Sequence, residues 1–289
     1  MQRVCHAVTT KFPDLKFIGL CHEIESMRRQ LPTLMETELS NIEFRAGGLN
    51  HFSILLDAKF KNNGKDGYPL IKKNFWNYFK DLVNDHEGFE SEPGAERGVF
   101  FKIYDDFKYL PITTDSHLGE YVQWAYSVAD HEAILHFYDN YKKKCLNFFE
   151  NDKIYSSFFD LENDRFHERF VPIAEAIIED QGIEESSVNI PNNGFIDCLP
   201  KDIVVEVPAM IDKKGIEGIT LENYPKTFGS LLNLQSGVIQ LTTQAVLEKS
   251  KHKAYLALLA DPVVTDVTDA EKLLNNMISV QHKHLSYLN

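Results

Sequence analysis

The alternation of apolar and polar positions divides the chain into strand-like ends and a helical middle. Residues 16–21, KFIGLC, are almost continuously apolar and predict a short buried parallel strand. Residues 22–37 place apolar side chains at helical spacing, with Pro32 as an interruption. Residues 41–60 predict two strands around a pair of glycines, a position where the backbone can approach a neighbour closely.

From about residue 69 to 180 the pattern becomes mostly helical, and residues 186–220 return to strand character. Within that second stretch, residues 193–200 and 202–212 are predicted strands, and Pro208 predicts an edge or a bulge. Residues from about 226 onward predict C-terminal helices that break at Asp261-Pro262. The helices predicted in the middle of the chain are residues 68–83, 95–109, 117–149 and 164–180.

These elements predict an α+β fold with one α/β feature. The parallel-type strand at the start is followed by a mixed helical and antiparallel body. A buried parallel strand needs strand neighbours, and the sequence offers few candidates for them. The segment 16–21 therefore resembles the last strand of an α/β sheet whose other strands are absent from the sequence.

Composition narrows the range of partners. The formal net charge is −13 over 289 residues, and the longest basic run is Lys142–Lys144, which argues against nucleic-acid binding. No apolar stretch approaches the ~20 residues that span a bilayer, and the N-terminus lacks a signal-peptide pattern, so we expect a cytoplasmic protein without a membrane partner. The four cysteines show no CxxC spacing and are expected to be free thiols.

Potentially reactive side chains concentrate in three places: Cys21-His22-Glu23, Asn50-His51 and residues 113–121, TTDSHLGEY. A cysteine thiolate together with a neutral imidazole suits a borderline divalent metal. Two protein ligands leave the remaining coordination positions open, which is the arrangement of a catalytic metal. Cys21 also follows a predicted strand at the edge where α/β sheets bind ligands.

Structural roles are the alternative for each of these residues. A single buried cysteine commonly serves as a small hydrophobic residue, and a histidine after a glycine turn commonly forms hydrogen bonds in the core. Asp115 and Ser116 would cap the helix predicted after them. Tyr121 would be a rim position of that helix, and it needs a lowered pKa before it can act as a base.

Seven segments, taken in order, carry a resemblance to the NAD- and metal-dependent glycosidases of glycoside hydrolase family 4. This resemblance implies an N-terminal Rossmann domain followed by a body like that of lactate and malate dehydrogenases. It divides the chain into 1–40, a remnant of the NAD-binding domain, and 41–289, the catalytic and substrate domain. The segments are RVCHAVTTKFP, FIGLCHE, AGGLNHF, DSHLGEY, GFIDCLP, VVEVPAMID and ADPVV.

The resemblance also assigns roles. Cys21 and His51 match the two ligands of the family's divalent metal, usually Mn²⁺, while the NAD-binding residues stay unassigned because the glycine-rich turn is absent. The remaining matches are Tyr121 as the catalytic base, Asp115 in the same stretch, and His22, Asn50 and His117 at substrate-binding positions. Without a pyrophosphate cradle, we expect the chain alone to be inactive even where a longer enzyme works.

The implied function is hydrolysis of unphosphorylated α-galactosides, α-glucosides or α-galacturonides. The implied route is oxidation at C3, removal of the C2 proton by Tyr121, elimination, water addition and reduction, with the metal as Lewis acid. Two alternatives stay open: a 2-hydroxy-acid dehydrogenase and a non-catalytic fragment. A homo-oligomer is also expected, with an interface or an ordinary core formed by Phe75, Trp76, Tyr78, Phe79, Tyr138, Tyr141, Phe148 and Phe149.

Overall fold

The computed structural model describes residues 1–83, 85–86, 89–90, 92–151 and 169–288. In this part of the chain the helices pack around one sheet of long and short strands, which confirms the predicted α+β class. The sheet strands are β1 (Ile42–Leu49), β2 (Phe52–Phe60), β5 (Leu110–Pro111), β6 (Ile183–Pro191), β7 (Val204–Asp212) and β8 (Gly215–Gly218), and a separate ladder joins β3 (Asp85–His86) to β4 (Phe89–Glu90). In the sheet the strands run in the order β5-β2-β1-β7-β6, with β8 paired to β7.

Helices precede, interrupt and follow the strands. The predicted helices 68–83 and 95–109 are confirmed within a few residues at each end. Two 3₁₀ turns occupy Leu39–Asn41 and Gln123–Ser127. The α-helices of the described ranges are α1 (Gln2–Lys11), α2 (Glu23–Met35), α3 (Tyr68–Asp81), α4 (Gly98–Phe107), α5 (Asp115–Leu118), α6 (His131–Glu150), α7 (Phe170–Glu179), α8 (Lys226–Leu247), α9 (Lys251–Ala260), α10 (Val267–Val280) and α11 (His282–Leu285).

The glycine pair in β1 has the close backbone contact that the sequence predicted. A Cβ placed on Gly47 would lie 2.5 Å from the carbonyl oxygen of Glu206 in β7. A Cβ on Gly48, where φ is 155°, would lie 2.5 Å from the carbonyl oxygen of Phe52. Any side chain at Gly47 would push β1 away from β7, so glycine is required where the two strands meet.

Pro208 lies opposite a β-bulge, as predicted. The pairing of β6 with β7 shifts register between Glu185 and Val188, so two residues of β6 face Pro208. Proline has no N–H to donate, and the bulge removes the acceptor that an N–H would need. On its other side, the Pro208 carbonyl oxygen accepts a hydrogen bond from the N–H of Ile219.

The predicted parallel strand at 16–21 is wrong. The segment is extended, but its pairing is one isolated antiparallel bridge between Gly19 and Asn189 of β6. Every ladder among the described strands is antiparallel, so the segment meets no parallel neighbour there. The apolar run correctly predicted packing against the core, where Ile18 and Leu20 are half-buried, but it could not specify the direction of pairing.

The long helix predicted over 117–149 is also wrong. It divides into the single turn α5, the 3₁₀ turn and α6, which begins only at His131. The Asp130 carboxylate accepts a hydrogen bond from the Ala133 N–H and starts α6 there. Tyr121 consequently lies in a turn after α5. The residues 164–168 of another predicted helix lie outside the described residues, and the rest of that helix forms α7.

Residues 193–200, predicted as a strand, form a loop organised by Asn192. The Asn192 side chain is fully buried and donates to the carbonyl oxygens of Ile196, Leu199 and Pro200 at 2.9–3.1 Å. Its own carbonyl oxygen accepts from the Ile196 N–H at 2.8 Å. These bonds satisfy backbone groups that a strand would pair in a ladder.

The core is rich in aromatic side chains contributed by α3 and α4. Phe75 stacks on Tyr104 with ring centroids 3.6 Å apart, and Phe79 and Phe100 pack beside them. The aromatic side chains of α6 differ, because this helix has no buried residue and Tyr138 and Phe149 are exposed. Of the predicted aromatic interface, the α3 part is therefore partly core and the α6 part lies at the surface.

Two smaller expectations can be compared with the structure. All four cysteines, Cys5, Cys21, Cys145 and Cys198, are free thiols, as predicted. Within the described ranges, no helix has the length and apolar character needed to cross a bilayer.

Replacing Asn192 by alanine should lower the free energy of unfolding by about 2–4 kcal/mol, because several buried backbone groups lose their partner. Urea denaturation measures the change. Asn233→Ala is the matched control, because Asn233 donates to the Cys198 carbonyl oxygen of the same loop from an exposed position. Equal losses in the two variants would contradict this role for Asn192.

Candidate active site

The turn between β1 and β2 presents His51 in a strained conformation. His51 has a φ of 70°, in the left-handed region that residues other than glycine seldom adopt. The Thr113 hydroxyl donates to the His51 carbonyl oxygen at 2.9 Å and holds the turn against the segment after β5. Burial lowers the pKa of His51 to about 4, and nearby His117 adds to that effect. His51 is therefore a neutral imidazole with a lone pair available for a ligand.

Cys21 lies directly before α2 and is brought to the same turn. Its side chain is hydrogen-bonded to the side chain of Asn50, the residue that precedes His51. Burial, with a smaller contribution from the negative charge of Glu206, raises the pKa of Cys21 to about 12. The structure thus places both predicted metal ligands beside Asn50.

A histidine pair and one carboxylate lie next to this turn. The rings of His51 and His117 stack with centroids 4.3 Å apart. The Glu23 carboxylate is 3.8 Å from Nε2 of His117 and 3.6 Å from Nε2 of His22. Glu23, the first residue of α2, therefore lies close to two of the predicted substrate-binding histidines.

Tyr121 approaches the turn from the segment after α5. Its hydroxyl donates to the Asn50 carbonyl oxygen at 2.9 Å, and its ring stacks on Phe52 with centroids 4.9 Å apart. The Gln235 side chain of α8 donates to the Tyr121 carbonyl oxygen and fixes the backbone. Burial raises the pKa of Tyr121, with Glu120 adding to the shift and Arg3 opposing it. In this structure the phenol is a hydrogen-bond donor.

A cavity of about 260 Å³ opens beside these residues. Asn50, His51, His117 and Tyr121 line it, whereas Cys21, His22 and Asp115 lie outside its lining. Charged side chains at its wall come from Arg3 of α1 and from Glu120. A cavity with an imidazole pair, a phenol and both signs of charge can bind a small polar molecule.

Asp115 has a structural environment. It is fully buried, and its two carboxylate oxygens accept hydrogen bonds from the Phe100 N–H of α4 and the Asp130 N–H. The carboxylate thus accepts a free N–H in the first turn of α4. The sequence had predicted that it would cap the helix 117–149 instead. A catalytic role for Asp115 stays a prediction.

The residues at the turn are chemically suited to a divalent metal. Two nearby carboxylates, Glu23 and Glu206, give the pocket a negative field, and a cation would offset the cost of ionising Cys21. Neutral His51 already has the protonation state of a ligand. Among the described residues, no group of three or more His, Cys, Asp and Glu side chains is arranged to hold a metal, which is compatible with a two-ligand site.

The family assignment follows from the chain as a whole. Residues 46–264 match the family 4 glycosyl hydrolase C-terminal domain, well over half of the chain. The chain belongs to family 4 of the glycosyl hydrolases. This family 4 chain is 39% identical to the α-glucosidase of Erwinia rhapontici, a match that covers all of this chain and 67% of the relative.

Further relatives extend the comparison. An α-galactosidase of Bacillus subtilis is 27% identical over 93% of the family 4 chain and 60% of its own length. The fold matches a 6-phospho-α-glucosidase from gut microorganisms, solved with NAD and glucose-6-phosphate, with a TM-score of 0.75, 20% identity, and coverage of 100% of this chain and 65% of that one. The family 4 chain thus spans about two thirds of the length of these proteins.

Three residues of the site are new relative to the sequence analysis: Glu206, Gln235 and Arg3. Glu206 had a signal, because a carboxylate in the apolar run VVEVPAMID is unusual for a buried strand. Gln235 had none, since polar residues on helices are ordinarily exposed, and Arg3 had only its place in the segment RVCHAVTTKFP. Their positions depend on how α8 and α1 pack in this family 4 chain.

The conformation of His51 leads to a stability test. His51→Gly should be more stable than His51→Ala by about 1 kcal/mol, because a Cβ is disfavoured at this positive φ. Urea denaturation of the two variants measures the difference. On the exposed face of α6 the order should reverse, with His136→Gly about 1 kcal/mol less stable than His136→Ala. Equal stability of the two His51 variants would contradict the strained turn.

Proposed function

We propose that this chain is the catalytic and substrate-binding part of a family 4 α-glycosidase that uses NAD and Mn²⁺. Its substrates would be unphosphorylated α-glucosides, α-galactosides or α-galacturonides. The observation that carries the proposal is the meeting of Cys21, His51 and Tyr121 around Asn50, beside one cavity. The names of the relatives support the substrate class, since they include an α-glucosidase, an α-galactosidase and an α-galacturonidase.

The cofactors of related structures support the second part of the proposal. Another 6-phospho-α-glucosidase from gut microorganisms was solved with NAD and Mn²⁺ and matches the fold with a TM-score of 0.70 at 21% identity. In this chain Cys21 and His51 would hold the metal. When bound, NAD would supply a hydride acceptor and donor for the sugar, and Mn²⁺ would supply Lewis acidity.

We also propose the domain division 1–40 and 41–289. Residues 1–40 would belong to the NAD-binding part, and residues 41–289 would form the catalytic body that includes β1 to β8. Contacts between the two parts link them tightly, because α1 packs against α8 and Gly19 pairs with Asn189. The residues that bind NAD stay unassigned.

The proposed task of Tyr121 is to remove the C2 proton of the bound sugar. The hydroxyl is already fixed in position by its bond to Asn50 and by the stack on Phe52. Because burial favours the protonated phenol, Tyr121 needs positive charge close by before it can act as a base. Arg3 supplies a cation at the cavity wall, and it lowers the pKa of Tyr121.

The other polar side chains at the cavity would recognise the sugar. Asn50 is hydrogen-bonded to Glu206 and His117 stacks on His51, so their orientation is set before substrate arrives. Glu120 and Arg3 add an acceptor and a donor for hydroxyl groups. Such fixed polar groups in a small cavity suit a monosaccharide unit.

The two alternative functions are a 2-hydroxy-acid dehydrogenase and a non-catalytic fragment. The glycosidase names of the relatives favour this proposal over a 2-hydroxy-acid dehydrogenase. The chain spans about two thirds of the length of these relatives, so the assay below includes the isolated chain.

We further propose a cytoplasmic homo-oligomer, for which the exposed Leu135, Tyr138 and Phe149 of α6 offer apolar surface.

The proposal is tested by hydrolysis of p-nitrophenyl α-glucoside, α-galactoside and α-galacturonide. The chain is assayed alone and fused to the remaining third of the Erwinia rhapontici α-glucosidase, omitting NAD, Mn²⁺ or thiol reductant in turn. We expect the fusion to show activity that requires NAD, Mn²⁺ and reductant. This activity should be abolished in Cys21→Ser, because the metal loses its thiolate.

The control for this assay is Cys145→Ser, which changes a free cysteine of α6 and should keep full activity. Activity without added NAD or metal, or in the Cys21→Ser variant, would contradict the proposed chemistry. Inactivity of both the chain and the fusion on all three glycosides would contradict the proposed function.

Tyr121→Phe should lower kcat by about 100-fold or more with little change in KM, because a positioned base is lost while the ring and its stack remain. Steady-state kinetics of the active form measure both constants. Tyr126→Phe is the matched control, since Tyr126 is 82% exposed and should be indistinguishable from wild type. A Tyr121→Phe enzyme with normal kcat would exclude Tyr121 as the base.

A further inference from the structure

Glu206 lies in the sheet between the two arms of the candidate site, which are the segment that carries Cys21 and the turn that carries His51. It lies in β7 and pairs with Gly48 of β1 on one side and with Asn189 of β6 on the other. Asn189 in turn forms the bridge to Gly19. One row across the sheet therefore runs Gly48, Glu206, Asn189, Gly19. Cys21 follows one end of this row by two residues, and His51 follows the other end by three.

The Glu206 side chain connects the same two arms. Its Oε2 accepts a hydrogen bond from the Ser53 hydroxyl at 2.7 Å, and its Oε1 accepts from the Asn50 amide at 3.5 Å. The Asn189 amide donates to Oε1 at 3.4 Å and lies 3.5 Å from the Gly19 carbonyl oxygen. One carboxylate thus reaches the His51 turn directly and the Cys21 segment through Asn189.

Burying this carboxylate costs folding free energy. Glu206 is 1% exposed, and its partners Ser53, Asn50, Asn189 and Ser187 are all neutral, so desolvation of the charge is only partly offset. An apolar residue would pack in β7 at lower cost if stability were the only requirement. A costly polar group that binds Asn50 and Asn189, which support the site, is more consistent with a positioning role.

We propose that Glu206 is a positioning residue that sets the distance between Cys21 and His51 by holding Asn50 and Asn189 at one point of β7. This inference rests on the proposed function, because it concerns the two predicted metal ligands. Glu206 itself stays behind Asn50 and lies outside the lining of the cavity. Its effect on a metal would be indirect, through hydrogen bonds to the residues that support the ligands.

The test compares two substitutions of nearly equal size. Glu206→Gln keeps an acceptor for both amides, and its NH₂ can donate to the Ser53 hydroxyl, which still donates to the Leu49 carbonyl oxygen. Glu206→Leu removes every acceptor. Mn²⁺ binding to the chain is titrated by electron paramagnetic resonance, where only free Mn²⁺ gives the sharp signal. We expect the leucine variant to bind Mn²⁺ about 10- to 100-fold more weakly, and the glutamine variant to stay within a few-fold of wild type.

A measurement without metal separates this inference from the proposed function. Hydrogen exchange followed by mass spectrometry should show faster exchange of both 19–23 and 49–53 in Glu206→Leu, and wild-type exchange in Glu206→Gln. If wild type binds no Mn²⁺, the proposed metal site fails, while this exchange pattern still decides whether Glu206 holds the two arms. Unchanged exchange in the leucine variant would overturn the inference.

Glu185 provides the matched control. It is a buried carboxylate of neighbouring β6, bound to Arg169 at 2.9 Å. Glu185→Leu should lower thermal stability and leave Mn²⁺ affinity and both exchange rates unchanged. If Glu206→Leu does not fold, Ser53→Ala replaces it and should weaken Mn²⁺ binding in the same direction by a smaller factor. Equal losses in the glutamine and leucine variants, or full affinity in Ser53→Ala, would overturn the positioning role.

Discussion

The contact between β1 and β7 at Gly47 controls most of the geometry described above. With 2.5 Å between a hypothetical Cβ and the Glu206 carbonyl oxygen, only glycine allows the two strands to lie this close. Because β1 lies there, the turn at Asn50 ends directly over the Glu206 side chain, and Tyr121 finds the Asn50 carbonyl oxygen within hydrogen-bond distance. The hairpin, the site and the central strands thus depend on one steric requirement.

Sequence reasoning succeeded where a local pattern decides the structure. Apolar periodicity is sufficient for α3 and α4, whose buried faces include Phe75 and Phe100. Pro208 required a bulge or an edge because it lacks an N–H, and it has the bulge. The errors at 16–21, 117–149 and 193–200 have a different origin, since each depends on hydrogen bonds that apolar periodicity does not reveal. The partner is distant in sequence at 16–21, and the side chains of Asp130 and Asn192 decide the other two segments. Asn189 pairs with Gly19, for example, and the Asp115 carboxylate accepts from the N–H of Asp130 and caps α4 instead of the helix that follows it.

At the candidate site, too, the sequence predicted the residues but not their surroundings. Cys21, His51 and Tyr121 could be selected from motifs, and the structure brings them to one turn. What the motifs could not supply is the electrostatic environment. Burial favours the protonated forms of Cys21 and Tyr121 and the neutral form of His51, and neighbours such as Glu206, Glu120 and His117 add to these pKa shifts. Such neighbours become visible only once the strands are assembled.

The row Gly48, Glu206, Asn189, Gly19 also has a consequence for folding. Neighbouring members of the row are separated by up to 170 positions along the chain, as in the bond between Asn189 and Gly19. Contacts of such long sequence separation form only after the entropy of closing a large loop has been lost, which makes them slow to appear. The helices can form early from local contacts, whereas the two arms of the site come together only when the central strands have paired. We therefore expect the candidate site to belong to the last-formed structure of this chain, and partly folded forms to have intact helices without it.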